Sequence, residues 1–257
     1  MKKLWIDPNL IAYAVKDKNV LDALALCVLI KLRFVSSRVK AAGVRRLMTL
    51  FHVSYGRCVK AVEAGLREGW LVEEGSDIVA RRLRVDKGCE LPLMLPGAER
   101  LTLSQMCNIL REALTYNHIS KIDDLRDTIQ LAHNPKPGEM QKCKRARRRL
   151  AKHGMPATES ELKKSLRMSY RRCAELLCVS LTKAKSIIKR LRLAGIISRT
   201  LQFEETAIPI GQFSRRMQRE YARHGNRGYL VVNNATVCIQ LANAYRLTAP
   251  TKVKFQY

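Results

Sequence analysis

"CVSLTKAKSIIKRLRLAGIISRT", residues Cys178–Thr200, alternates apolar and cationic residues at a spacing that a helix would sort onto two sides. Its apolar residues Ala184, Ile187, Ile188 and Leu191 recur at the i, i+3, i+4, i+7 spacing of one helix face. With that face turned inward, Lys183, Lys185, Ser186, Lys189 and Arg190 remain outside it. Ser180 stands where an N-cap hydroxyl accepts a backbone N–H, and Gly195 where a helix ends in the left-handed conformation. "RRCAELL" before the stretch supplies a second short helix, and "IISRT" at its end begins an extended segment.

The same unit occurs earlier, 126 positions upstream. Val53-Ser54 falls on Val179-Ser180, Ala61-Val62 on Ile187-Ile188, Gly69 on Gly195 and Leu71 on Ile197. Leu50 and Phe51 fall on Leu176 and Leu177. The repeated aliphatic pairs before and after the turn are placed to pack one helix on the other. Both copies therefore read as helix, turn, helix and strand.

Working outward, Asp7-Pro8 starts a short helix and a longer one spans about Val20 to Phe34, with Leu21, Leu24, Val28 and Leu32 near helical spacing. "WLVEE", a "GSD" turn and "IVARRLRV" predict a hairpin after the first copy. "LTLSQMCNILREALTYNHISKIDDLRDTIQLAH", Leu101–His133, predicts a helical connector that "NPKPG" terminates, and "EMQKCKRARRRLAKHG" starts another helix. After the second copy, "IISRTLQFEETAIPI" is separated from "GYLVV" by an Arg-rich insert, and a terminal hairpin turns near Asn233-Asn234. The fold class expected is mainly α with small β-hairpin wings (α+β): two winged helix-turn-helix domains, 1–98 and 139–257, joined by a connector at 99–138.

Charge supplies the functional signal. The chain of 257 residues carries 48 Lys/Arg against 22 Asp/Glu, a net +26. Residues 1–140 hold 22 basic and 16 acidic side chains, a net +6, whereas residues 141–257 hold 26 and 6, a net +20. A chain with 47% hydrophobic residues can build a core, so this is a folded polycation whose natural partner is a polyanion. Cations on an isolated amphipathic helix can serve only to keep one face solvated. The helix-turn-helix frame, the strand behind it and the local charge turn the reading toward duplex DNA, into whose major groove such a helix enters by its N-terminal part.

The candidate contacts follow. In the second copy they are Ser180, Thr182, Lys183, Lys185, Ser186, Lys189 and Arg190; in the first, Ser54, Tyr55, Arg57 and Lys60, among outward positions that also include Val59, Glu63 and Ala64. Wing contacts are Arg81, Arg82 and Arg84 in the first copy and Arg215, Arg216 and Arg219 in the second. "KCKRARRRL" adds Arg145, Arg147, Arg148 and Arg149 as a backbone clamp.

Catalysis finds little support: there is no HExxH or HxH pairing, no GxxxxGK[ST] phosphate loop and no GxSxG elbow. The eight cysteines lack zinc-site spacing and read as core residues of a reducing compartment, so neither metal nor cofactor is expected. The longest apolar run, "ALALCVLI", is too short to span a bilayer, and a cytoplasmic, nucleoid-associated protein with no membrane partner is expected.

"RRLMTLFHVSYGRCVKAVEAGLREGWLVEE" and "RRCAELLCVSLTKAKSIIKRLRLAGIISRT" resemble winged-helix DNA-binding units. Two such units joined by a helical connector in a basic chain are similar in layout to plasmid- and phage-type replication initiators. The resemblance implies a noncatalytic protein of replication initiation or transcriptional control, with Lys183, Lys185 and Lys189, and Arg57 and Lys60, at recognition-helix positions. It also implies that one copy binds a DNA repeat strongly while the other binds beside it or mediates dimerisation; separately, outward Val59 and Glu63 leave the alternative of a protein-interaction adaptor docking through the N-terminal copy. The long Arg-rich insert departs from the family pattern. An RNA-bound or ribonucleoprotein structural role is the alternative that the Arg-rich segments leave open.

Overall fold

The computed structural model describes residues 2–83, 91–95, 100–152, 168–200, 203–209, 229–232, 236–240 and 244–248. The described chain is mainly helical with small antiparallel sheets. Its elements fall into two compact units, one drawing on residues 1–118 and 173–196, the other on 119–172 and 197–248. The units interleave along the chain, whereas the sequence divided it into consecutive segments 1–98, 99–138 and 139–257. Residues 173–196, the second helix-turn-helix, belong to the unit that also holds the first.

In the first unit, strand β1 (Lys2–Ile6) is followed by helices α1 (Pro8–Ala14) and α2 (Lys18–Arg33). Asp7 caps α1 by accepting the Asn9 N–H at 2.7 Å, and Asp17 caps α2 by accepting that of Asn19 at 2.7 Å. Every residue from Val20 to Ile30 is buried, so α2 is the axis of the core and not a surface helix with one apolar face. Strand β2 (Arg38–Val39), helices α3 (Val44–Phe51) and α4 (Tyr55–Arg67), and strands β3 (Leu71–Glu74) and β4 (Asp77–Ala80) follow. The three strands form one antiparallel sheet in the order β2-β4-β3, with Glu74 opposite Asp77 across a turn that Gly75 makes at φ 62°. Strand β5 (Leu91–Leu95) pairs with β1, Ile6 opposite Leu91.

Helix α5 (Leu103–His133) contributes to both units. In the second unit, Ile122 and Ile129 of α5 are buried one heptad apart with Leu125 beside them, and Leu150 of helix α6 (Met140–Lys152) packs on this cluster. Cys143 and Ala146 complete the buried stripe of α6, as its periodicity predicts. Strand β6 (Ile197–Thr200) pairs with β10 (Ala244–Leu247), while β7 (Phe203–Pro209), β9 (Thr236–Gln240) and β8 (Tyr229–Val232) form a sheet in that order. The expected terminal hairpin is present as the β8–β9 pair, Val232 opposite Thr236. The amide of Leu247 donates to Asp123 at 2.7 Å, tying β10 to α5.

Helices α7 (Tyr170–Leu176) and α8 (Leu181–Leu193) form the second copy; at the 126-residue offset α8 matches α4 at both ends, and α7 matches α3 except that it ends one residue earlier. His52 and Cys178, 126 apart, both take the left-handed conformation, with φ 47° and 48°. Behind them the amides of Val53 and Val179 donate to Met48 and Ala174, again equivalent carbonyls, at 3.2 and 3.0 Å. At the far end, Gly69 and Gly195 have φ 69° and 66°. Their amides donate to Leu66 and Arg192, and those of Trp70 and Ile196 to Gly65 and Leu191, which is the two-bond Schellman closure in both copies. The sequence repeat is thus a repeat of turn and cap geometry.

Candidate nucleic-acid interface

The side of α8 that meets the core is the one its periodicity predicts: Ala184, Ile187, Ile188 and Leu191 are all 1% exposed or less. Ser180 is its N-cap, accepting the Lys183 N–H at 3.3 Å, whereas Ser54 makes no such side-chain bond at the start of α4. Ser180, Thr182, Lys185 and Lys189 are exposed and Ser186 is half-buried. Lys185 and Lys189 continue into Arg192, which is also exposed. These three lie at i, i+4 and i+7, one stripe along the outer surface. Arg192 is absent from the contacts expected from sequence, although the same spacing is visible there.

Two cations of the second copy are turned elsewhere. Arg190 donates through Nε to Glu112 of α5 at 2.5 Å, and Glu112 is only 4% exposed, so Arg190 is an internal partner and not an outward contact. Lys183 is half-buried beside the same helix. Burial, followed by the fields of Arg190 and Arg111, lowers its pKa below the ordinary lysine value.

The first copy departs further from expectation. Arg57 holds Asp22 of α2 bidentately, Nε and Nη2 each 2.6 Å from a carboxylate oxygen, and donates through Nη1 to Ser104 at 2.7 Å. The bond to Asp22 is the main reason its pKa rises. Cys107 adds a thiol contact of 3.1 Å to the same carboxylate, and burial pushes that thiol's pKa far up. Arg57 is therefore a structural residue, and Ala64, expected outside, is 2% exposed. Tyr55, Lys60 and Glu63 do face solvent, as does Ser54, while Val59 is half-buried. The neighbours of Arg57 and Arg190 lie on one common flank. Arg57 and Lys183 are equivalent positions, as are Ala64 and Arg190, and they share the same flank of their helices. Residues of α5 meet that flank in both copies, at Ser104 and Cys107 for α4 and at Glu112 for α8.

No family model, curated protein or solved structure matches the chain.

Arg81 and Arg82, just past β4, are exposed; Arg84, Arg215, Arg216 and Arg219 lie outside the described residues. On α6, Arg145, Arg148 and Arg149 are exposed with Lys144. Arg147 also spends its Nε on the Ala132 carbonyl at 3.0 Å. Among the described residues no three His, Cys, Asp or Glu side chains come together as a metal-binding group, and no helix is long and apolar enough to cross a membrane.

Proposed function

We propose that this chain is a noncatalytic duplex-DNA-binding protein that presents the outer stripe of α8, Lys185, Lys189 and Arg192, to the major groove. The observation that carries the reading is the duplicated helix-turn-helix with matching turn and cap geometry, one copy of which keeps a cationic, hydroxyl-bearing N-terminal half open to solvent. The first copy has the element order α2, β2, α3, α4, β3, β4, which is the order of a winged helix. Lys185 and Lys189 serve phosphate or guanine, and Thr182 and Ser180 reach base edges or phosphates. The exposed arginines of α6 hold backbone phosphates in the same general way. The layout supports a role in replication initiation or transcriptional control.

The test is a salt series of the full chain on random duplex DNA, single-stranded DNA and duplex RNA. Removing one cation that neutralises a phosphate should flatten the slope of log K against log salt by about 0.9, so Lys185→Ala with Lys189→Ala should flatten it by about 2. Duplex DNA should be preferred over both other polymers. A slope unchanged by the double substitution, or a preference for duplex RNA, would overturn the reading.

A further inference from the structure

Seven large apolar side chains stand exposed among the described residues, Trp5, Tyr13, Val35, Tyr55, Met140, Leu181 and Leu193. Two of them, Tyr55 and Leu181, are 126 positions apart and occupy the first residue of α4 and of α8. Tyr55 is 59% exposed and Leu181 43%. Isolated exposed apolar residues are ordinary. Recurrence at the same turn of both copies is not accounted for by packing, since neither side chain is needed for its helix's core. The surroundings are polar: Ser180, Thr182 and Lys185 around Leu181, and Ser54 and Gly56 beside Tyr55, are all exposed. An apolar group set among hydroxyls and a cation matches a lone methyl group on an otherwise polar wall.

The major groove is such a wall. Its base edges offer hydrogen-bond donors and acceptors throughout, and its apolar feature is the 5-methyl group of thymine. We propose that Leu181, and Tyr55 in the first copy, are specificity-determining residues that contact thymine methyl groups. The inference rests on the duplex-DNA reading above and adds to it a base preference. It also gives a chemical basis for choosing DNA over RNA, because uracil lacks that methyl and the A-form major groove is too deep and narrow for side chains.

The experiment selects preferred duplexes from a random pool with the full chain, then remakes the winning duplex with deoxyuridine at each thymine in turn. Losing one buried methyl should weaken binding about fourfold, the equivalent of about 0.8 kcal/mol. Leu181→Ser should bind the thymine and deoxyuridine duplexes alike at the position it reads, and Leu181→Met should keep the discrimination. Because Leu181 is exposed, both variants should melt within a degree or two of the parent, which separates an effect on recognition from unfolding. A winning duplex that binds equally well at every deoxyuridine position overturns the methyl assignment and leaves DNA binding standing. Failure of any duplex to be enriched overturns the DNA reading itself, and this inference with it.

Discussion

Removing the Arg57 side chain should unfold the protein more than it should weaken nucleic-acid binding. Asp22 has a side chain 3% exposed, and its two oxygens take their charge-assisted bonds from Arg57 at 2.6 Å each. Arg57→Ala leaves that carboxylate buried beside a thiol that donates only weakly. Stranding one member of a buried ion pair costs about 3–5 kcal/mol. The Arg57 side chain is 28% exposed, so water can partly replace it, which places the loss near ~3 kcal/mol. For a chain of this size that is a fall in Tm of about 6–12 °C. Circular dichroism melts and urea midpoints measure it directly. Asp22→Leu together with Arg57→Ala should recover most of the loss, since both polar groups are then gone, giving a coupling of at least ~2 kcal/mol. A single Arg57→Ala variant that keeps its urea midpoint but loses duplex affinity would refute this account and restore Arg57 as a contact residue.

Gly69→Ala and Gly195→Ala should each cost about 1–2 kcal/mol, and the two losses should be alike, because both residues hold φ near 66–69° in the same cap; urea titration of each variant checks it. Lys183→Gln should raise stability at neutral pH by less than about 1 kcal/mol while leaving the salt slope of duplex binding as it is. The sign follows from its lowered pKa: protonated Lys183 is worse placed in the folded than in the unfolded chain, a deficit full below its folded pKa and lost as pH climbs from there to the unfolded value. A lower urea midpoint for Lys183→Gln would contradict the cost of its burial and of the repulsion from Arg190 and Arg111.

The parts of the fold that were legible in the sequence are those set by short-range physics. The buried side of α8, the N-cap at Ser180 and the helix stops at Gly69 and Gly195 depend on residues within one or two turns, and all are where spacing predicts them. The β1–β5 pair was not foreseen. It joins residues 2–6 to 91–95 with Trp5 opposite Pro92, and nothing local to either segment encodes a partner so distant in sequence. The spacing of Leu21, Leu24, Val28 and Leu32 marks one apolar face on α2, yet it buries Asp22 and Ala25 as readily as Leu21 and Leu24. Its run of small and aliphatic residues allows burial on every side, and only tertiary packing decides that it happens.

The candidate interface shows the same boundary more sharply. Periodicity divides a helix into inside and outside relative to a single core, so Lys185 and Lys189 are correctly placed by it and Arg57 and Arg190 are not. What separates these residues is a second neighbour. Asp22 of α2, with Ser104 and Cys107 of α5, takes Arg57, and Glu112 of α5 takes Arg190, so that each outward arginine becomes the partner of a buried carboxylate. The acids are visible in the sequence, but lie 35 and 78 positions from the arginines they hold. A cation at the margin of an apolar stripe is therefore ambiguous until the acid is found. One in the middle of the polar side, such as Lys189 with Lys185 and Arg192 one turn to either side, is exposed as its spacing requires, and on the proposed function that is where a phosphate would reach it.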